Sequence, residues 1–341
     1  MPRPKDTPPQ DNVWNPSIKE FIEAVESGQV DINPPQKKEE LEPNPEAPEG
    51  LKEILERDYP LQLRVHREAG LLESVSVGEG HKAINGQDYA FPSQSEVIER
   101  LANKRELIER KLAQYTNPKI IITPIGKRIV DITECWKKTI NQYKDKLHNR
   151  DGSKITPKDT YDMTAGSVEN NNAPVWLWKE YQNDDKVIYD PEAFNNEPAK
   201  HKGKSKSQVL DTIGGYSIIL MEDMDMPREN QAVEKVGRTP LEANKDAHQY
   251  LKILKEDSQY TGEVGNYPEE EILYAISKLI EGDGLVVDNY IKTSSVYCLG
   301  AYLAGHVPVA FWNADDRRAV LVRFVPGGRY ASHAARVSVR A

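Results

Sequence analysis

Residues 297–341, YCLGAYLAGHVPVAFWNADDRRAVLVRFVPGGRYASHAARVSVRA, constrain the fold more than any other stretch of the chain. VPVAFW and RRAVLVRFV are rich in β-branched and aromatic residues and are joined by Asn-Ala-Asp-Asp. Pro-Gly-Gly then turns the chain into HAARVSVR, where Val337 and Val339 alternate with Arg336, Ser338 and Arg340. The pattern predicts a three-stranded antiparallel meander, with the last strand at an edge where its Arg residues discourage edge-to-edge association.

Upstream, GGYSIILMED holds a near-continuous apolar run from Tyr216 to Met221 that ends in acid, as a strand buried on both faces does. KIIITP reads as a second strand. Helices are predicted over EANKDAHQYLKILKED and over PEEEILYAISKLIEGDG, the latter with Pro268 at its start, acids in its first turn and Gly282 at its end. One long helix is expected from Ser93 or Ser95 to the Asn117-Pro118 stop, carrying Val97, Ile98, Leu101, Ile108, Leu112 and Tyr115 on one face. A further helix, capped by Asp131, buries Ile132, Cys135, Trp136, Ile140, Tyr143 and Leu147. EGLKEILERDYP suggests a short helix, whereas LQLRVH alternates like a strand.

Residues 1–50 are Pro-rich and charged, and each Pro removes a donor and restricts its predecessor, so this segment is expected to be a disordered arm. It carries one amphipathic helix, with Ser17 as cap, Ile18, Phe21, Ile22 and Val25 on one face and Gly28 past the end. The expected fold class is α+β. The arm leads to a helix-rich α/β region over 51–205, loop-rich in its second half, and then to an α+β domain over 206–341.

The segments GGYSIILMEDMDMP, VGRTPLEANKDAHQYL, YTGEVGNYPEEEIL, VVDNY, LGAYL, VPVAFWN and ARVSV, with a weaker echo at FPSQSEVIERL, resemble a family of uncharacterised bacterial proteins. The resemblance covers about the C-terminal third and implies no activity, ligand or catalytic residue. The Trp hairpin followed by Arg-Val-x-Val is also similar to the closing strands of C-type-lectin-like domains.

The formal net charge of -9 argues against a general nucleic-acid binder, because the phosphate backbone rewards a basic face. The N-terminus has no apolar core of signal-peptide length and no run approaches a membrane span, so a cytoplasmic location without membrane partners is expected. Cys135 and Cys298 lie far apart, in neither disulfide nor metal-ligand spacing, which fits a reducing compartment.

Motifs with chemistry are few. Around Gly203-Lys204-Ser205 a phosphate loop needs Gly at position 198, which is Pro198, so KGKSKS reads as a solvated basic loop. The histidines form no H-x-x-x-H or H-x-H pair, and neither a metal nor a cofactor is expected. Cys298 with His306 or His333, or the cluster Glu222, Asp223 and Asp225, could serve a hydrolase; a buried thiol and a solvated strand end are the plainer readings. The most unusual composition is the arginine set Arg317, Arg318, Arg323, Arg329, Arg336 and Arg340, in a stretch with no Lys after Lys292. With Trp312, Phe324 and Tyr330 it suggests a non-enzymatic surface for a protein or anionic ligand, contact with nucleic acid being the narrower version. The competing reading pairs these arginines with the chain's own acids.

Overall fold

The computed structural model describes Pro48 and residues 50–341; the arm and its expected helix lie outside the described residues. The architecture is α+β. Its helices are α1 (Leu51–Glu68), α2 (Gln94–Ala102), α3 (Arg105–Gln114), α4 (Ile129–Gln142), α5 (Pro198–His201), α6 (Lys206–Ile213), α7 (Ala247–Glu256) and α8 (Pro268–Glu281). The strands are β1 (Glu73–Val75), β2 (Gly78–Lys82), β3 (Asp88–Ala90), β4 (Pro118–Thr123), β5 (Val175–Leu177), β6 (Ile188–Tyr189) and β7 (Ser217–Glu222). Then come β8 (Val264–Gly265), β9 (Ser295–Tyr297), β10 (Ala301–Tyr302), β11 (Val307–Asn313), β12 (Arg318–Phe324), β13 (His333–Ala335) and β14 (Val337–Arg340).

An antiparallel sheet in the order β4-β7-β14-β8 is covered on both faces, which is why β4 and β7 read as unbroken apolar runs. Ile120, Ile122, Ile218, Leu220 and Val339 point to one side, against Leu51, Leu55, Val97, Leu101 and Ile108 of α1, α2 and α3. Ile121, Ile219 and Met221 alternate to the other side, against Ile272, Leu273 and Ile276 of α8. The far side of that core is closed by a second sheet, in the order β13-β9-β11-β12-β5, through Ala310, Trp312, Ala319 and Leu321. Helix α8 thus lies between the two sheets.

The outer edge of β4 is covered by side chains of α1 at successive helical turns. Asp58 accepts from the Ile120 backbone N–H at 2.8 Å, Gln62 from that of Ile122 at 3.1 Å, and the His66 ring Nε2 meets the Ile122 carbonyl at 2.6 Å. This corrects the expected strand at LQLRVH. The four-residue spacing of Asp58, Gln62 and His66 is helical, and the helix runs through Pro60, losing one main-chain bond while these side chains meet three main-chain groups of the strand edge.

Other expectations are also revised. The helix expected from Ser93 to Tyr115 breaks between Ala102 and Arg105, while Ser93 caps α2 by accepting from Glu96 N at 3.2 Å. Helix α4 starts at Ile129, ahead of Asp131. The division at 205/206 separates no two bodies, since β4 and β7 pair from Pro118↔Glu222 to Thr123↔Ser217 within one compact unit.

The three-stranded meander is only partly present. β11 and β12 form the expected hairpin, from Val307↔Phe324 to Asn313↔Arg318. The third segment leaves it: β13 pairs parallel to β9, and after Arg336 the chain crosses into the other sheet, where β14 is an interior strand between β7 and β8. A strand flanked on both sides needs no edge protection, so Arg336 and Arg340 have another task.

Candidate functional site

That task lies at the N-terminal end of α8. Tyr267 and Pro268 start the helix, and Glu269, Glu270 and Glu271 are all buried in its first turn, where the helix dipole favours negative charge. Each meets a cation from a different element. Glu269 receives Lys206 Nζ at 3.1 Å and the Tyr189 hydroxyl at 2.6 Å, and Lys206 also pairs with Asp184. Glu270 receives Arg340 and the Ser217 hydroxyl at 2.6 Å. Glu271 receives Arg336 and Asn266 Nδ2 at 2.8 Å. Burial raises the carboxyls of Glu269 and Glu271, with Lys206 and Arg336 respectively opposing the rise. Burial drives Asp288 up to about 7 despite the two Arg336 bonds at 2.9 and 2.8 Å. The KGKSKS loop therefore is not wholly solvated: Ser205 caps α6 and Lys206 is a buried counter-ion.

The remaining expected residues fall in separate places. Trp312 is 3% exposed and packs toward α4 and α8 with Trp136, Ile140 and Leu279. Arg318 is buried, donating to Asp316 at 3.0 Å and reaching Asn171. Arg323 lies 3.7 Å over the Trp178 ring and bonds the His306 ring at 3.3 Å. Arg317 and Arg329 are exposed; Arg329 donates to Asn244 Oδ1 at 3.0 Å, and Arg317 reaches the Thr156 carbonyl at 3.4 Å. Tyr330 is half-buried, its ring 4.8 Å from Phe324 and 4.7 Å from His333. The six arginines do not converge.

The candidate hydrolytic groups are engaged elsewhere. Glu222 holds Arg238 at 2.7 Å, and Asp223 holds Lys278 at 2.6 Å, Tyr274 at 2.7 Å and Arg150 at 3.1 Å. Asp225 takes the other side of Arg150 at 3.2 Å. Cys298 is fully buried, and burial together with Glu271, Glu269 and Glu270 pushes its thiol well up. His333 bonds Ser295 and Ser332, and His306 bonds the Ala304 carbonyl. Among the described residues, no group of His, Cys, Asp and Glu could hold a metal ion, and no helix is long and apolar enough to cross a membrane.

The hairpin's other face is covered at its Val307 and Val309 end by a second core that includes Tyr250, Tyr297 and Ala334, and it opens only at the margin of that core. Strand register places Trp176 of β5, Val320 of β12 and Phe311 of β11 in one lateral row, with Val322 and Phe324 following along β12. Trp176, Phe311, Val322, Phe324 and Tyr330 are all half-buried, and Tyr290 closes one end with its ring 5.8 Å from Phe311. Ile291, next to Tyr290, and Val325, next to Phe324, are each 49% exposed. Sequence reasoning chose Trp312, one residue from Phe311 and so on the opposite face; alternation was visible, but the side turned to the core was not. Trp176, in the run PVWLW, was missed altogether.

No family model, curated protein or solved structure matches the chain.

Proposed function

We propose that the protein is a non-enzymatic binding module that engages a protein partner through the outer face of the β5–β11–β12 sheet, and that it works in the cytoplasm. The observation that carries the reading is the half-buried strip Trp176, Phe311, Val322, Phe324 and Tyr330 on the paired strands, with the exposed cations Arg317 and Arg329 flanking β12 in the chain. Interface centres favour aromatic residues and Arg over Lys, the composition of this stretch. The partner it fits has an apolar patch rimmed by carboxylates, which Arg can grip with two donors at once. Two buried free thiols support a reducing compartment.

Site-specific photo-crosslinking tests this. A crosslinker at Val322 is expected to capture a defined partner, and Phe311→Ser or the pair Arg317→Glu with Arg329→Glu to abolish capture. A crosslinker at the distant exposed Val77 serves as control. The same products from both positions, or capture unaffected by the variants, would overturn the reading, and a crosslinked dimer would replace the partner with a second copy.

A further inference from the structure

A second surface, independent of the sheet face, has the construction of a small-molecule site. Beside the N-terminal end of α8, where β8 and the end of β14 meet α6 and α7, lies an open cleft of about 380 Å³, within the size range of ligand pockets. Its apolar wall is Val209 and Ile213 of α6, Leu251 and Leu254 of α7, and Val264 of β8. The backbones of Gly265 and Gly300 cross at one side, so close that a Cβ on Gly300 would lie 2.4 Å from the Gly265 carbonyl.

The charge of the cleft opposes that of the chain. Lys104, Lys204, Lys255 and Arg340 line it, against the carboxylates of Asp190 and Glu263, on a protein of net charge -9. Both carboxylates are already engaged. Glu263 is buried and holds Lys111 at 2.8 Å and Arg238 at 3.0 Å, and Asp190 receives the Tyr267 hydroxyl at 2.8 Å and Arg340 Nη1 at 3.0 Å. Lys204 reaches the second Asp190 oxygen only at 3.4 Å. The ammonium groups of Lys104 and Lys255 donate to the main-chain carbonyls of Arg340 and Glu192, and neither makes an ion pair among the described residues. A carbonyl satisfies a donor without neutralising its charge, so positive charge remains at the rim of an apolar wall.

We propose that this cleft binds a small amphipathic anion, its aliphatic body on Leu251, Leu254 and Ile213 and its carboxylate or phosphate head among Lys104, Lys204 and Lys255. Arg340, stacked 3.5 Å over Tyr267 and tied to Glu270, forms the fixed inner wall.

Calorimetric titration of the full chain with decanoate, decyl phosphate and decanol tests this, the first two separating the carboxylate from the phosphate version. Saturable binding of at least one anion is expected, with decanol about tenfold weaker or worse. The exposed substitution Lys255→Gln, alone and with Lys104→Gln, is expected to weaken the anion by about tenfold and leave thermal unfolding unchanged. Binding that ignores the head group, survives both substitutions, or never saturates would overturn the proposal. Crosslinking at Val322 reads a different face, so the two proposals fail separately.

Discussion

Arg340 in the last strand and Glu270 in the first turn of α8 form a buried two-bond pair, Nε to Oε1 at 2.8 Å and Nη2 to Oε2 at 2.9 Å. The guanidinium is also held by Asp190, by the Gly265 carbonyl at 2.8 Å and by the Tyr267 ring. Burial pulls Arg340 toward losing its proton, and Glu270 and Tyr267 outweigh it, so the charge persists inside the fold. Removing one partner strands the other. Arg340→Met is expected to cost about 3–5 kcal/mol in urea unfolding, and Arg340→Met with Glu270→Gln distinctly less than the sum of the single changes. Strict additivity would mean that the pair does not act as a unit.

Trp312 and Phe311 are neighbours in sequence on opposite faces of β11, so they should separate stability from binding. Trp312→Ala empties a fully enclosed site and is expected to destabilise by about 3–5 kcal/mol. Phe311→Ser, half-open to solvent, is expected to cost roughly half of that or less while removing partner capture. Equal losses of denaturation midpoint would show that the outer face is part of the core.

The layers were legible where chemistry is local. Runs such as KIIIT and SIILME declare strands covered on both faces, Pro268 and Gly282 bracket α8, and Ser93 caps α2 as its position suggests. Choices between distant partners were not legible. Whether HAARVSVR continues a hairpin depends on a vacancy between β7 and β8, and whether LQLRVH is helix or strand depends on the edge of β4 that Asp58, Gln62 and His66 cover. Arginine beside valine reads the same whether it guards an edge or neutralises a buried glutamate. Three acids in succession at a helix start, with two arginines four residues apart in the last strand region, were the available signal for the ion pairs.

Gly215 marks where the small sheet β1-β2-β3 meets the body of the fold. A Cβ there would lie 2.2 Å from Tyr89 Cγ, and one on Gly126, whose N–H donates to the Gly215 carbonyl at 3.2 Å, would lie 2.5 Å from His81 Nε2. Gly215→Ala is expected to destabilise by about 1–3 kcal/mol through this overlap alone. Gly166→Ala, with open space around it, is the control and should leave the midpoint unchanged. Matching midpoints for the two variants would show that Tyr89 moves aside freely.

His81 is buried between Tyr216 and Tyr89, at ring distances of 4.7 and 5.9 Å, and neither ring nitrogen has a hydrogen-bond partner among the described residues. Burial lowers its folded-state value to about 3, with Lys127 and His66 adding to the effect. An unfolded imidazole takes up a proton near about 6.5. Between these values the unfolded chain binds the extra proton, so the neutral ring's contribution is complete above about pH 6.5 and is lost progressively as the pH falls toward about 3. The slope is roughly 1.4 kcal/mol per pH unit. Replacement by a residue of similar volume without ring nitrogens removes that slope and sacrifices no hydrogen bond. His81→Leu is therefore expected to match the wild type within about 1 kcal/mol at neutral pH and to lose about 2 kcal/mol less than it on going from about pH 6.5 to about pH 5. Urea unfolding of both proteins at the two pH values measures the difference, and identical acid losses would place the proton-linked instability in other groups.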